Sequence, residues 1–191
     1  MRQQEKFARD VYLANYDRWG FPVFQNIAGS EQNNMDSVFS VLDAYGIADP
    51  AENHGAGEFS NPEFRSLYDQ LLAQGQLSLA DALRVGATIE ELDIVDLNER
   101  MAQTDNETIV QIFSNLVAGS ENHLRAFVSN LENQIGEQYV PVYLDQSTFQ
   151  AIMSDAGNGG LGNGRNGGGN GNGNGNGQGG NGQGGNGRRN G

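Results

Sequence analysis

Apolar positions recur at helical spacing through most of the first 155 residues, and polar breaks divide them into four long segments and two short ones. Residues 1–17 are good helix formers with Met1, Ala8, Tyr12 and Trp19 on one side; Arg18-Trp19-Gly20 followed by Phe21-Pro22 supplies a glycine stop with proline beyond. Ser30 reads as the cap of a second helix that reaches about Tyr45, with Val38, Val41, Leu42 and Tyr45 on its apolar side, and Ile27 joining them if the helix begins earlier. Residues 47–60 carry Asp49-Pro50 and two glycines and read as a long crossover loop. Asn61-Pro62 opens a short helix that Gly75 ends. Ser78 caps a long helix over residues 79–103, and Asn106-Glu107-Thr108 forms the first turn of another that runs to about Asn133. Residues 139–144 are extended, and Ser147 begins a last short helix carrying Phe149, Ile152 and Met153. No strand pattern of any length competes. The predicted class is all-α: a four-helix bundle with a short extra helix in the crossover and a short C-terminal helix.

From Ala156 onward the chain is almost entirely Gly and Asn with a few Gln and Arg. Such a tract cannot bury enough apolar surface to offset its backbone entropy, so residues 156–191 are expected to be a disordered tail and residues 1–155 one folded domain. All 24 acidic residues precede the tail, whereas Arg165, Arg188 and Arg189 lie within it, so the domain carries a net charge of −16. That charge opposes binding to nucleic acid and to anionic membranes. The absence of cysteine excludes disulfides, thiolate zinc and iron–sulfur clusters. No stretch has the length of a membrane span, and the opening residues are charged helix rather than signal peptide. The sequence as written reads as soluble; an upstream leader would make it extracytoplasmic, and the compartment itself is not legible.

Polar residues interrupt the apolar stripes. In the 79–103 helix Leu79, Leu83, Ile94, Leu97 and Met101 share a narrow arc that also contains Glu90; Asp93 and Gly86 lie at its margin, where glycine permits a neighbouring backbone to come close. In the next helix Ser120 and His123 interrupt the stripe of Ile109, Phe113, Leu116, Leu124, Phe127 and Leu131. Glu31 and Asn34 continue the apolar side of the second helix, and Glu5 lies beside Tyr12 on the first. Glu5, Glu31, Glu90, Asp93 and His123 are thus placed to meet around one point. Buried carboxylates without a cation raise one another's pKa and are costly to keep ionised. Arg100, about 15 Å along the helix axis from Glu90, is too distant to pair with it. A divalent cation is the simplest compensation, and oxygen-rich ligation with an imidazole suits iron or manganese better than zinc.

Each residue also has a plainer role open to it. Glu5 sits near a helix start and can reach solvent; Glu31 can complement the helix dipole beside a Ser30 cap; Asp93 can meet water at the stripe edge; His123 can be a hydrogen-bonded core residue. Glu91 and Glu121 point about 100° away from their stripe centres and read as solvated, and His54 reads as a loop residue.

The segments EKFARDVYLANYDRWG, SEQNNMDSV, NPEFRSLYDQLLAQG, SLADALRVGATIEELDIVDL, GSENHLRAFV and YVPVYL resemble, in order, a ferritin-like family known as domain of unknown function 2202, over nearly all of residues 1–153. The resemblance implies a ferritin-like bundle related to rubrerythrin-type carboxylate proteins. Its metal ligands fall on Glu5, Glu31, Glu90, with Glu91 as the neighbouring possibility, and His123. Two positions depart from the pattern: Asn34 stands where an imidazole is expected, and Ser120 stands three residues before His123 in place of a glutamate, with Asp93 the candidate for that missing carboxylate. The function implied is binding of one or two iron ions, or manganese, with iron oxidation or reduction of a small oxidant such as peroxide, Tyr12 being a hydrogen-bond donor or redox neighbour. The expected partners are a metal ion, a small oxidant and, in assembly, a second copy as homodimer. A different class remains open beside it: a non-catalytic secreted scaffold or matrix protein with a degenerate site and a flexible tail.

Overall fold

The computed structural model describes residues 1–155; the tail expected over residues 156–191 lies outside the described residues. The described chain forms six α-helices: α1 (Arg2–Trp19), α2 (Pro22–Ala44), α3 (Pro62–Gly75), α4 (Leu79–Met101), α5 (Glu107–Asn130) and α6 (Gln146–Ser154), with a π-helical turn over Leu131–Ile135 directly after α5. It is the all-α helical bundle that the apolar stripes predict. α1 packs chiefly on α2 and α4 on α5, and the two pairs close on each other through α2 against α5 and α1 against α4. α3 lies across α1 and α4 at the crossover.

Helix ends follow local chemistry. Gly20 adopts φ 61°, a left-handed conformation that ends α1 with its N–H on the Tyr16 carbonyl. Asn61, Ser78, Asn106 and Asp145 each accept a backbone N–H from the first turn of the following helix. The last of these corrects the expected start at Ser147 by one residue. A larger correction concerns α2. Ser30 is not its cap: Pro22 stands in the first turn, where a missing N–H costs nothing, and the helix begins there. Ser30 and Glu31 therefore lie in mid-helix, and Glu31 is no first-turn acid.

The main core gathers Phe7, Val11, Tyr12, Phe24, Leu83, Ile89, Leu124 and Leu131 around Phe127, whose ring lies 5.1 Å from Tyr12 and 5.6 Å from Phe24. Gly86 makes room for that ring rather than for a backbone, since a Cβ there would come within 2.6 Å of Phe127. A smaller core of Val38, Leu97 and Leu116 lies further along the same helices. Along α2 and α5, Glu31 and His123 fall between the two clusters, and in α4 Glu90 lies between Ile89 and Ile94 of the main one.

Two buried ionic contacts fix the connecting segments. Lys6 Nζ donates to Asp10 Oδ2 at 2.5 Å and to the Gly55 carbonyl at 2.6 Å, and Asp10 also accepts the Gly57 N–H at 2.9 Å, so α1 grips the 47–60 loop. Glu91 is fully buried, against the expectation of solvation. Its Oε2 accepts the backbone N–H groups of Val142, Tyr143 and Leu144 at 2.9, 2.6 and 2.9 Å, so these three residues bend around the carboxylate instead of running extended as expected.

Candidate metal centre

Glu5, Glu31, Glu90 and Asp93 are each no more than 1% exposed, and His123 is 8% exposed. Each comes from a long helix: Glu5 from α1, Glu31 from α2, Glu90 and Asp93 from α4, His123 from α5. The solvent-reaching alternatives for Glu5 and Asp93 do not apply, because the bundle encloses both. Three of the five are brought tightly together: ligand atoms of Glu31, Glu90 and His123 all lie within 4.8 Å of one another. Glu5 and Asp93 are buried nearby but fall outside that group.

The contacts inside the group are unlike ordinary hydrogen bonding. His123 Nδ1 lies 2.8 Å from Glu31 Oε1 and 3.5 Å from Glu90 Oε2. All three atoms are nevertheless buried without a hydrogen-bond partner, as are Glu5 Oε1 and Asp93 Oδ2. A buried polar atom left unpaired is costly and needs an explanation. Two ligand atoms each about 2.1 Å from a shared cation stand about 3 Å apart without pointing at one another, which is the relation seen here. The donor set therefore fits a divalent cation held by two carboxylates and one imidazole.

The remaining contacts orient these atoms. Ser30 Oγ lies 2.9 Å from His123 Nε2, so the far side of the ring has a partner and Nδ1 is turned toward the acids. This contact depends on Ser30 lying in mid-helix. Tyr12 O–H donates to Glu90 Oε1 at 2.6 Å, leaving Oε2 facing His123. Burial, reinforced by the Glu90 charge, holds the Tyr12 phenol well above its ordinary pKa, so it stays a neutral donor. Asn34 Nδ2 donates to Glu31 Oε2 at 2.9 Å and to Glu5 Oε2 at 3.2 Å.

In the absence of an ion the electrostatics are crowded. Burial, with Asp93 and Glu31 beside it, pushes Glu5 well above the usual carboxyl range; burial, with Glu90 and Glu31 beside it, does the same to Asp93. Burial lifts Glu90 to about 6 against the opposing charge of His123. Burial would also raise Glu31, but His123 and the surrounding hydrogen bonds outweigh it and leave the carboxyl below its ordinary value. For His123, burial lowers the pKa and the charges of Glu90 and Glu31 raise it further than burial lowers it. A cavity of about 230 Å³ lined by Gln4, Ile89, Leu92, Asp93, Asp96 and Arg100 reaches Asp93 from the α1/α4 side.

Ser120, three residues before His123, is buried but belongs to no ligand group. His54 Nδ1 contacts the Glu52 carbonyl in the crossover and takes no part in the site. The stripes did not single out Ser30 as a partner of His123, or Lys6 and Asp10 as buried. For the latter pair the i, i+4 spacing of opposite charges was the available signal.

Fold and site together define an all-helical bundle protein whose interior gathers acids and an imidazole able to hold a metal. Comparison with known proteins extends this by one step. The chain belongs to the family described as Uncharacterized protein domain (DUF2202), whose model matches residues 1–156. It is 48% identical over 161 residues to Uncharacterized protein MJ0754 of Methanocaldococcus jannaschii, covering 84% of this chain and 86% of that protein. The crystal structure of hypothetical protein MJ0754 from Methanococcus jannaschii DSM 2661 superposes with a TM-score of 0.80 at 49% identity. That match covers 82% of this chain and 89% of the other. None of these names a function. No helix among the described residues is long and apolar enough to cross a membrane.

Proposed function

We propose that this chain is a ferritin-like metal-binding protein that holds a redox-active cation, iron or alternatively manganese, between Glu31, Glu90 and His123. The observation that carries the proposal is the convergence of three buried ligand atoms within 4.8 Å, each without a hydrogen-bond partner. Two carboxylate oxygens and one imidazole nitrogen favour iron or manganese over zinc, and without thiolates the site has no preference for copper(I). When bound, the ion supplies one-electron chemistry toward oxygen or peroxide. The protein's own groups do the rest. Ser30 fixes the ring of His123, Tyr12 holds one oxygen of Glu90 and keeps a proton beside it, and the two apolar clusters exclude bulk water.

Anaerobic titration with Fe(II) and Mn(II), followed by metal analysis after desalting, tests the reading. Retained metal, and Fe(II) oxidation in air faster than that of free Fe(II), is the expected result. The double variant Glu31→Ala/Glu90→Ala should lose both while keeping its helical circular dichroism. Undiminished metal in that folded variant would move the ion elsewhere.

A further inference from the structure

We infer that Asn34 limits the centre to a single ion, because its side-chain amide stands where a second cation would bind and uses the oxygens such a cation would need. This rests on the metal-binding reading above and adds the stoichiometry. Glu31 is the pivot. Its Oε1 lies 2.8 Å from His123 Nδ1 and belongs to the ligand group, while its Oε2 accepts from Asn34 at 2.9 Å. The second N–H of the same amide is donated to Glu5 Oε2 at 3.2 Å. A primary amide has two N–H donors, and both are spent on two different carboxylates.

The orientation of the amide follows from its neighbours. Turned over, Asn34 would set its carbonyl oxygen against Glu31 Oε2 in place of the N–H that oxygen now accepts at 2.9 Å, so the nitrogen faces Glu31. The consequence is a division of labour between the two oxygens of Glu31. One is free to meet an ion shared with Glu90 and His123; the other, with its counterpart on Glu5, is tied by a neutral donor. The two-oxygen bridge by which a carboxylate ordinarily spans two ions uses both of its oxygens, and here the amide holds one of them.

What is left beyond the first ion is Glu5 Oε1 and Asp93 Oδ2, both buried and unpartnered. Neither belongs to the close group with Glu31, Glu90 and His123, and no imidazole accompanies them. The described residues include only one other histidine, His54, and it lies in the crossover. Two oxygens are a poor set for a cation that takes about six ligands.

Mn(II) titration of the full chain, read by bound metal per chain and by electron paramagnetic resonance, decides the matter. The expected result is one Mn(II) per chain with the spectrum of an isolated ion. Two ions per chain, or the spectrum of an exchange-coupled pair, would overturn the inference while leaving the metal-binding reading intact. No bound metal would overturn that reading and this one with it. Asn34→His and Asn34→Asp each replace the donor by a group that can ligate, and either variant, if its melting curve shows it folded, should bind a second ion. A folded pair of variants that both stay at one ion would show that the amide is not what sets the number.

Discussion

Glu90 and Glu91 are consecutive in α4, carry the same side chain and are both fully buried, yet their surroundings differ in kind. Glu91 faces the backbone of the 139–144 segment, where three N–H groups within 2.9 Å converge on one oxygen. Glu90 faces the bundle axis, where Tyr12 satisfies one oxygen and the other lies 3.5 Å from His123 with no hydrogen bond at all. A buried carboxylate whose acceptors are taken up by fixed donors is a fastening. One whose acceptor is left open among other open ligand atoms is the feature on which the proposed metal site rests. The Lys6–Asp10 pair repeats the first pattern at the other end of the comparison: it lies beside Glu5 in sequence, is as buried, and is tied to the Gly55–Gly57 backbone.

The strongest way to break this contrast is Glu91→Ala. Three backbone N–H groups of a part-buried segment would lose the acceptor they share, so the unfolding free energy should fall by about 2–3 kcal/mol, measured by urea denaturation of the metal-free protein. A loss below about 1 kcal/mol would mean that the segment is held by other contacts.

Next in size is the response to pH. Glu5, Asp93 and Glu90 are raised above the usual carboxyl range, Glu90 to about 6, and His123 is raised above the usual imidazole range. Each binds its proton more tightly in the folded than in the unfolded chain. The stability each contributes is therefore fully present below its unfolded pKa and lost as pH rises through the folded value. Of the five clustered groups Glu31 alone is lowered, and its contribution has the opposite sign, present above the ordinary glutamate value of 4.5 and lost as pH falls. The Met1 amine, lowered by burial, also opposes the four raised groups, but they outweigh it and Glu31, so the metal-free protein should melt at a lower temperature at about pH 8 than at about pH 5.5. Added Mn(II) should raise the melting temperature more at the higher pH, because the ligands must shed their protons to bind it. A metal-free melting temperature that rises over this interval would contradict the crowding of charge around the site.

The smallest effect sharpens the comparison from the other side. Glu90→Gln removes a charge from the crowded site and keeps an oxygen for Tyr12, so metal-free stability should change by less than about 1 kcal/mol or rise slightly. Metal affinity should fall sharply in the same variant. Adjacent acids would then divide cleanly, one carrying stability and the other carrying binding.

The helices, their class and most of their ends were set by local rules, since apolar residues at helical spacing and Asn, Ser or Gly at the boundaries act within a few residues of themselves. The inward acids were legible for the same reason: a charged residue on an apolar stripe conflicts with its neighbours wherever the bundle closes. Period placed Glu91 off the core stripe but could not show that it is buried, because a 100° rotation away from the core of one helix pair leads either to water or to another packed segment. Only the return of residues 142–144 over α4 made the second outcome true. The early start of α2 was likewise hidden, since Ser30 carries every local mark of a cap, and its hydroxyl was claimed instead by His123, 93 residues away in the chain. Sequence fixes which groups cannot rest comfortably where they lie, and tertiary contacts, which join residues too distant for any local rule, decide which of them find a partner within the fold and which are left open.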